Sequence, residues 1–404
     1  MPPSTEEPDT SPGMLPRLLA GIERELPRAV ELRHRLHARP ELAHAEFETA
    51  ATVSAEMPVA CEPVAETGLI ARVGSTNGAA VAVRAELDGL PISERTDSPF
   101  RATGATMHAC GHDVHMAALV ALARAAHALG EMLPAPLLAV FQPSEEAYPS
   151  GAEQLLHPLA AIAPAAMVAA HAHPELPWGA VALDPGTVNA SCDAVEITVE
   201  GQPSHGAYPH RGRDPILALA HVVVALHAQI GRRIDPTHPA TLTVGVLEGG
   251  SAENVIPARA HARAALRAHR PEDRLALQHM VEEVVAGIAS AHGCRGAVAL
   301  TPGEPALEND PVIVARAREL LSDAGLFPAP EWRSSGSDDF AFFGALGAPL
   351  AMGFVGLAGA DGFVPRPLHH PELLIPDDAV GAVARAQAVL YLAAAASPPR
   401  REPG

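Results

Sequence analysis

The chain has 404 residues, more than one hydrophobic core usually serves, so two domains are expected. Its hydrophobic share of 48% is that of a globular protein, and no run of 18 uncharged apolar residues indicates a membrane span. The net charge of -19 argues against nucleic-acid binding, which draws on neutralised phosphates, and all 28 basic residues are arginine, so lysine Schiff bases, lysine-tethered cofactors and a Walker-A loop are excluded.

The opening MPPSTEEPDTSPG (1–13) has no basic or apolar segment of a secretory signal and is expected to be a disordered tail, like the closing segment 397–404. Residues 14–38 read as an amphipathic helix ending before Pro40. AAVAVRAEL, after Gly78, reads as a buried strand, and 112–129 as a helix ended by Gly130. Three further buried strands are expected at 136–141, 165–171 and 349–356, and a closing helix at 377–396. Buried strands alternating with helices predict an α/β domain with a largely parallel central sheet. The middle differs. A half-wet strand at 193–201 is followed by a helix at 214–231, strands at 240–247 and 257–268, a helix at 272–291 and a strand at 295–301. That order, βαββαβ, is ferredoxin-like and predicts an inserted domain over 188–302. The first domain is then split into 14–187 and 303–396.

The four cysteines, Cys61, Cys110, Cys192 and Cys294, are scattered and form no C-x-x-C pair. A reducing cytoplasm is expected, with three of them acting as small hydrophobes. Cys110 is different, because it lies in MHACGHDVH (107–115) with His112, where Gly111 permits a tight turn between two metal-capable side chains. The competing readings are a buried cysteine at a helix start, and a nucleophile activated by His112. Two residues apart in a loop is poor geometry for the second. Elsewhere, metal-capable residues fall where predicted strands end: Glu86 and Asp88, Glu145 and Glu146, His171 and His173. Parallel sheets place their sites beyond the carboxyl ends of strands, so one rule brings these residues together. In FQPSEE (141–146), neighbouring residues of an extended chain point opposite ways, so one carboxylate can bind metal while the other meets substrate. Asp88 suits orienting a metal-bound histidine, and His115 suits packing or support more than ligation. The histidines of LHHP (368–371) are weak alone.

Taken in order, LRHRLHARPEL, RAELDGLPI, MHACGHDVH, FQPSEE, HAHPELPWG, GQPSHGAYPHRGRDPI, GGSAENVIP, SDDFAFF and LHHPELLIPDD resemble the dinuclear metal amidohydrolases related to aminoacylase, hippurate hydrolase, auxin-conjugate hydrolases and N-acetyl-diaminopimelate deacetylase. The resemblance spans about 30–385 and implies a metallopeptidase-type fold. It implies two divalent ions (Zn, or Mn, Co or Ni) on Cys110, His112, Glu146, His171 and His369, with Glu145 as general base and Asp88 as the acid that bridges or orients ligands. It assigns His205 to the oxyanion and Asn254 and Arg267 to the substrate's polar end. It also implies an N-acyl amino acid substrate and a homodimer through the inserted lid domain. A dipeptidase or carboxypeptidase, and a non-catalytic metal-binding relative, are the alternatives. The chain departs from the family at Glu86 (usually Asp), Asp338 (usually Glu), Ser144 (usually Ala), Tyr148-Pro149 (usually glycine-rich) and Gln202 (often Lys). These departures bear on substrate more than on reaction class.

Overall fold

In the computed structural model residues 13–397 are described, and apart from Gly13 and Ser397 the two expected tails lie outside them. The chain divides into two units: one comprises the described residues up to Gly186, Glu308–Trp332 and Phe342 onward, the other Thr187–Leu307 with Arg333–Ala341.

The first unit is built on an eight-stranded sheet among the described residues. From one edge its strands are Glu62–Val64, Gly68–Val73, Leu137–Gln142, Val81–Glu86, Ala166–Pro177, Leu350–Ala358, Ala180–Ala182 and Phe327–Pro328. The four in the middle are mutually parallel. They carry runs such as VAVRAE and LLAVFQ that are buried at every position, as a sheet covered on both faces requires. Gly68–Val73 joins antiparallel at one flank, and Ala180–Ala182 runs antiparallel to Leu350–Ala358 at the other. Three helices, Met14–His37, His112–Leu129 and Asp378–Ala395, pack on one another beside the sheet. His112–Leu129 is buried at nearly every residue from His112 to Ala126, so its Ala-rich sequence is that of a core helix. Met14–His37 instead buries one stripe, Leu15, Leu18, Ile22, Ala29, Leu32 and Leu36. The expected α/β class with a largely parallel sheet is borne out.

The second unit has a four-stranded antiparallel sheet, ordered Ala240–Gly249, Arg259–Ala268, Ser191–Glu200, Arg295–Pro302. Helices Pro215–Arg233 and Pro271–Ala291 share one apolar core with it, including Val195, Ile197, Leu219, Val222, Leu226, Leu277 and Val281. Asp214 caps the first helix by accepting the Ile216 and Leu217 amides (2.9 and 3.2 Å). The unit reaches beyond 188–302 because Ser334 exchanges backbone hydrogen bonds with Val188 and Ala190 (2.8 and 3.1 Å), which draws 333–341 to it. Pro215–Arg233 is also, among the described residues, one helix long and apolar enough to cross a membrane by length and composition alone. Its mean hydropathy reaches 1.3 because it carries a core-facing stripe and also exposes Ile216, Leu217 and Val224.

Candidate metal centre

Apart from His171, the candidate ligands are presented by turns and loops whose geometry local residues fix. Gly111 adopts φ +87° immediately before helix His112–Leu129, and a Cβ there would lie 2.6 Å from Ile375 Cδ1. That turn buries Cys110 and starts the helix at His112. Asp88 follows strand Val81–Glu86, and its Oδ2 accepts the Glu146 amide at 2.8 Å, tying the two strand ends together. His369 sits in a loop at φ +65° and donates its amide to Ala109 O at 2.9 Å, which draws it to the cysteine turn.

The Glu145–Glu146 pair departs from the expected extended chain. Strand Leu137–Gln142 ends first, and Ser144 turns the chain at φ +52°. The buried Glu46 carboxylate holds that turn, accepting the Ser144 amide (2.7 Å), the Ser144 hydroxyl (3.1 Å) and the Thr67 hydroxyl (2.8 Å). The Ser144 oxygen in turn accepts the His44 amide at 2.9 Å. The turn, and not the alternation of an extended strand, therefore directs the two carboxylates. His171 also differs: its strand continues to Pro177, so it sits within the strand, paired in register with Phe354.

Side-chain donors of Cys110, His112 and His171 come within 4.8 Å of one another, as do those of Cys110, Glu146 and His369, and those of His112, Glu145 and Glu146. Cys110 Sγ is 3.4 Å from His171 Nε2, and His369 Nε2 is 3.2 Å from Glu146 Oε1. His112 donates Nδ1–H to Asp88 O at 2.8 Å, which turns Nε2 toward Glu145 Oε2 (3.8 Å) and Glu146 Oε1 (4.0 Å). Three buried atoms here, Asp88 Oδ1, His112 Nε2 and Glu146 Oε1, make no hydrogen bond. Buried polar atoms that make no hydrogen bond cost free energy, and a convergent set of them suits a cation. The electrostatics agree. Burial resists charge on His112, yet Glu86, Asp88 and Glu146 outweigh it and raise its pKa to about 10, so the position favours positive charge. Burial keeps His171 neutral, with its pKa well below the ordinary value, and a neutral imidazole is what a metal binds. Thiolate, imidazole and carboxylate together suit zinc and similar divalent ions.

Other strand-end candidates are diverted. Glu86 is buried between Arg84, which makes an ion pair with it, and His115 Nδ1 at 2.8 Å. Burial alone would raise its carboxyl, but Arg84 and the histidines hold it well below the usual range. His173 packs edge-on to Trp332, with ring centroids 4.9 Å apart. Tyr148 is exposed. In the second unit, Gly206 donates to Asn254 O at 2.6 Å and Val255 pairs with His205, so His205 and Asn254 are neighbours on one small ribbon. Arg267 donates to Ser335 O at 2.9 Å, and Asp338 accepts the Phe340 amide at 2.8 Å. Glu46 and Arg84 were not singled out from the sequence. Their burial within a short charged stretch and a strand is the only signal, and it is a tertiary one.

Known proteins resemble this chain along most of its length. Residues 82–390 match the model of peptidase family M20/M25/M40, and the chain belongs to that family, as its motifs led one to expect. It is a hydrolase of that group. The N-acetyl-L-cysteine deacetylase of Bacillus subtilis is 33% identical over 371 residues, covering 90% of this chain and 86% of that one. The N-acetyldiaminopimelate deacetylase of Bacillus pumilus is 32% identical over 359 residues, covering 86% and 93%. A dinuclear metal-binding M20 peptidase of known structure from Bacillus subtilis superposes with a TM-score of 0.80 at 27% identity, covering 92% of this chain and 98% of that one.

Proposed function

We propose that this protein hydrolyses the amide bond of N-acyl amino acids, with two divalent ions held by Cys110, His112, Glu146, His171 and His369. The observation that carries the reading is the convergence of these donors on buried atoms that have no hydrogen bond, with the Glu145 carboxylate beside them. Two similar proteins named as deacetylases of N-acetyl amino acids support the substrate class. When bound, the ions supply Lewis acidity toward the amide carbonyl and toward the attacking water. Glu145 takes the proton of that water and delivers it to the departing amine. Asp88 holds the Glu146 amide with Oδ2 and so keeps the Glu pair in place. His205, Asn254 and Arg267 supply the polar groups for the oxyanion and the amino-acid carboxylate in this scheme, a role that suits the planar fork of arginine.

Glu145→Gln keeps the shape of the turn and removes the base. The expected result is normal metal content with turnover of N-acetyl amino acids reduced by about 100- to 10,000-fold. Full activity in this variant overturns the assignment. Cys110→Ala should lower the metal content measured by elemental analysis. A metal-replete but inactive Cys110→Ala protein would favour the nucleophile reading instead. Because the family description names peptidases, dipeptides are the competing substrate class. Faster hydrolysis of dipeptides than of N-acyl amino acids would transfer the protein to that class.

A further inference from the structure

His115 lies one helical turn after His112, fully buried, and carries metal-capable chemistry that the proposed site does not use. Its ring is engaged at both nitrogens. Nε2 is 2.9 Å from the Ala172 backbone nitrogen, and Nδ1 is 2.8 Å from Glu86 Oε2. An amide N–H can only donate, so Nε2 of His115 accepts, and the ring carries its proton on Nδ1, where it donates to Glu86. The Ala172 amide is available because the strand ladder between Val81–Glu86 and Ala166–Pro177 ends at the pair Arg84 and Ala169. One residue back along the chain, His171 Nδ1 is 2.7 Å from the Ala172 carbonyl oxygen. A carbonyl can only accept, so the proton of His171 is on Nδ1. Its Nε2 lone pair then faces Cys110 Sγ at 3.4 Å.

We propose that His115 is a positioning residue that sets the tautomer and aim of His171 through the backbone of Ala172. The line runs from Arg84 to Glu86, to His115, to Ala172 and to His171. Glu86 fixes which nitrogen of His115 is protonated, and Arg84 neutralises the buried carboxylate. His115 leaves the Ala172 amide satisfied and its carbonyl pointed at His171. It is excluded as a ligand itself, although Glu86, His115 and His171 lie close enough to hold an ion. The longer acid at Glu86 has a direct consequence here: it reaches His115 and Arg84 together.

The inference rests on His171 being a metal ligand, and the test separates the two. Histidine tautomers are read by long-range proton–nitrogen NMR of the full-length protein with zinc removed, and zinc affinity is measured by competition with a chromophoric chelator. In the native chain His171 should carry its proton on Nδ1. His115→Ala should introduce the Nε2–H form of His171 and weaken zinc by about 10- to 100-fold. His115→Gln can place its amide oxygen where Nε2 was and should recover most of that loss. His115→Asn is too short to reach Ala172 and should not. If His115→Ala fails to fold, the difference between Gln and Asn decides. Equal zinc affinity and an unchanged His171 tautomer in Gln and Asn overturn the proposal. If His171→Ala binds zinc as the native chain does, the ligand assignment fails instead.

Discussion

At the scale of single residues, charges that look like ordinary surface groups in the sequence turn out to be buried supports. Arg33 donates to Asp113 Oδ2 (2.7 Å), Asp377 Oδ1 (2.7 Å) and Ile375 O (2.8 Å), with both Arg33 and Asp113 almost fully buried. His37 bridges the same Asp113 oxygen (2.8 Å) and Glu94 (3.2 Å). Breaking one partner of such a cluster leaves an uncompensated buried charge, which costs far more than a surface pair is worth. Burial resists protonation of His37, but Asp113 and Glu94 outweigh it and carry its pKa from 6.5 to about 9. A raised pKa means that the folded state binds the proton more tightly than the unfolded one. The stabilisation is therefore complete below pH 6.5 and is lost as pH rises through about 9. Urea midpoints measured between about pH 6 and 10 should fall across that limb in the native chain and change less in His37→Gln. The candidate ligands were legible because Cys110, His112 and the Glu pair are residue types with few roles in a buried loop. Arg33, His37 and Glu46 were not, because only the folded chain shows which charges have left the surface.

At the scale of elements, legibility followed period and length. The helix His112–Leu129 matches its expected range, since a long apolar segment ending at Gly130 admits one reading. The helices Phe47–Glu56, Gly151–Ile162 and Pro311–Leu320 are short and were not recognised, and neither was the hairpin Glu62–Val64 with Gly68–Val73. Gly151 shows what was hidden there. It starts its helix just after Ser150, whose hydroxyl accepts the Ala152 amide at 3.1 Å, and its own amide returns to Ser144 O at 3.0 Å. A Cβ at this position would lie 1.7 Å from Pro143 O, a clash with backbone that no side-chain motion relieves. Gly151→Ala should cost about 3 kcal/mol and displace the Glu145–Glu146 turn, read as a lower urea midpoint together with weaker metal binding. A variant of native stability would show that this close approach is absent in solution.

At the scale of the whole molecule, the rule that parallel sheets carry sites beyond their strand ends foretold which loops would meet, and it did so across distant parts of the chain. It placed His171 too late in its strand and could not see that Glu86 and His173 would be claimed by other neighbours. The candidate ligands Cys110, His112, Glu146, His171 and His369 all lie in the first unit, which has its own core. Ions bound there stabilise that unit by mass action, by about 2.7 kcal/mol when free metal is 100 times Kd. Calorimetry with and without chelator should therefore show a lower unfolding temperature for the metal-free chain, reversed by added zinc. An identical trace in both conditions would mean that no ion is bound. The sheet has a further consequence for the making of the protein. Strand Leu350–Ala358 lies inside the sheet, alongside Ala166–Pro177, yet is synthesised long after it. At about 5–20 residues per second, a ribosome takes roughly 10–40 s to pass from one to the other. For that time the nascent chain holds an apolar strand with one edge unpaired, the kind of edge that recruits other chains. Its synthesis thus leaves that edge open to other chains until 350–358 is made, and His369, whose amide bonds Ala109 O, is made later still.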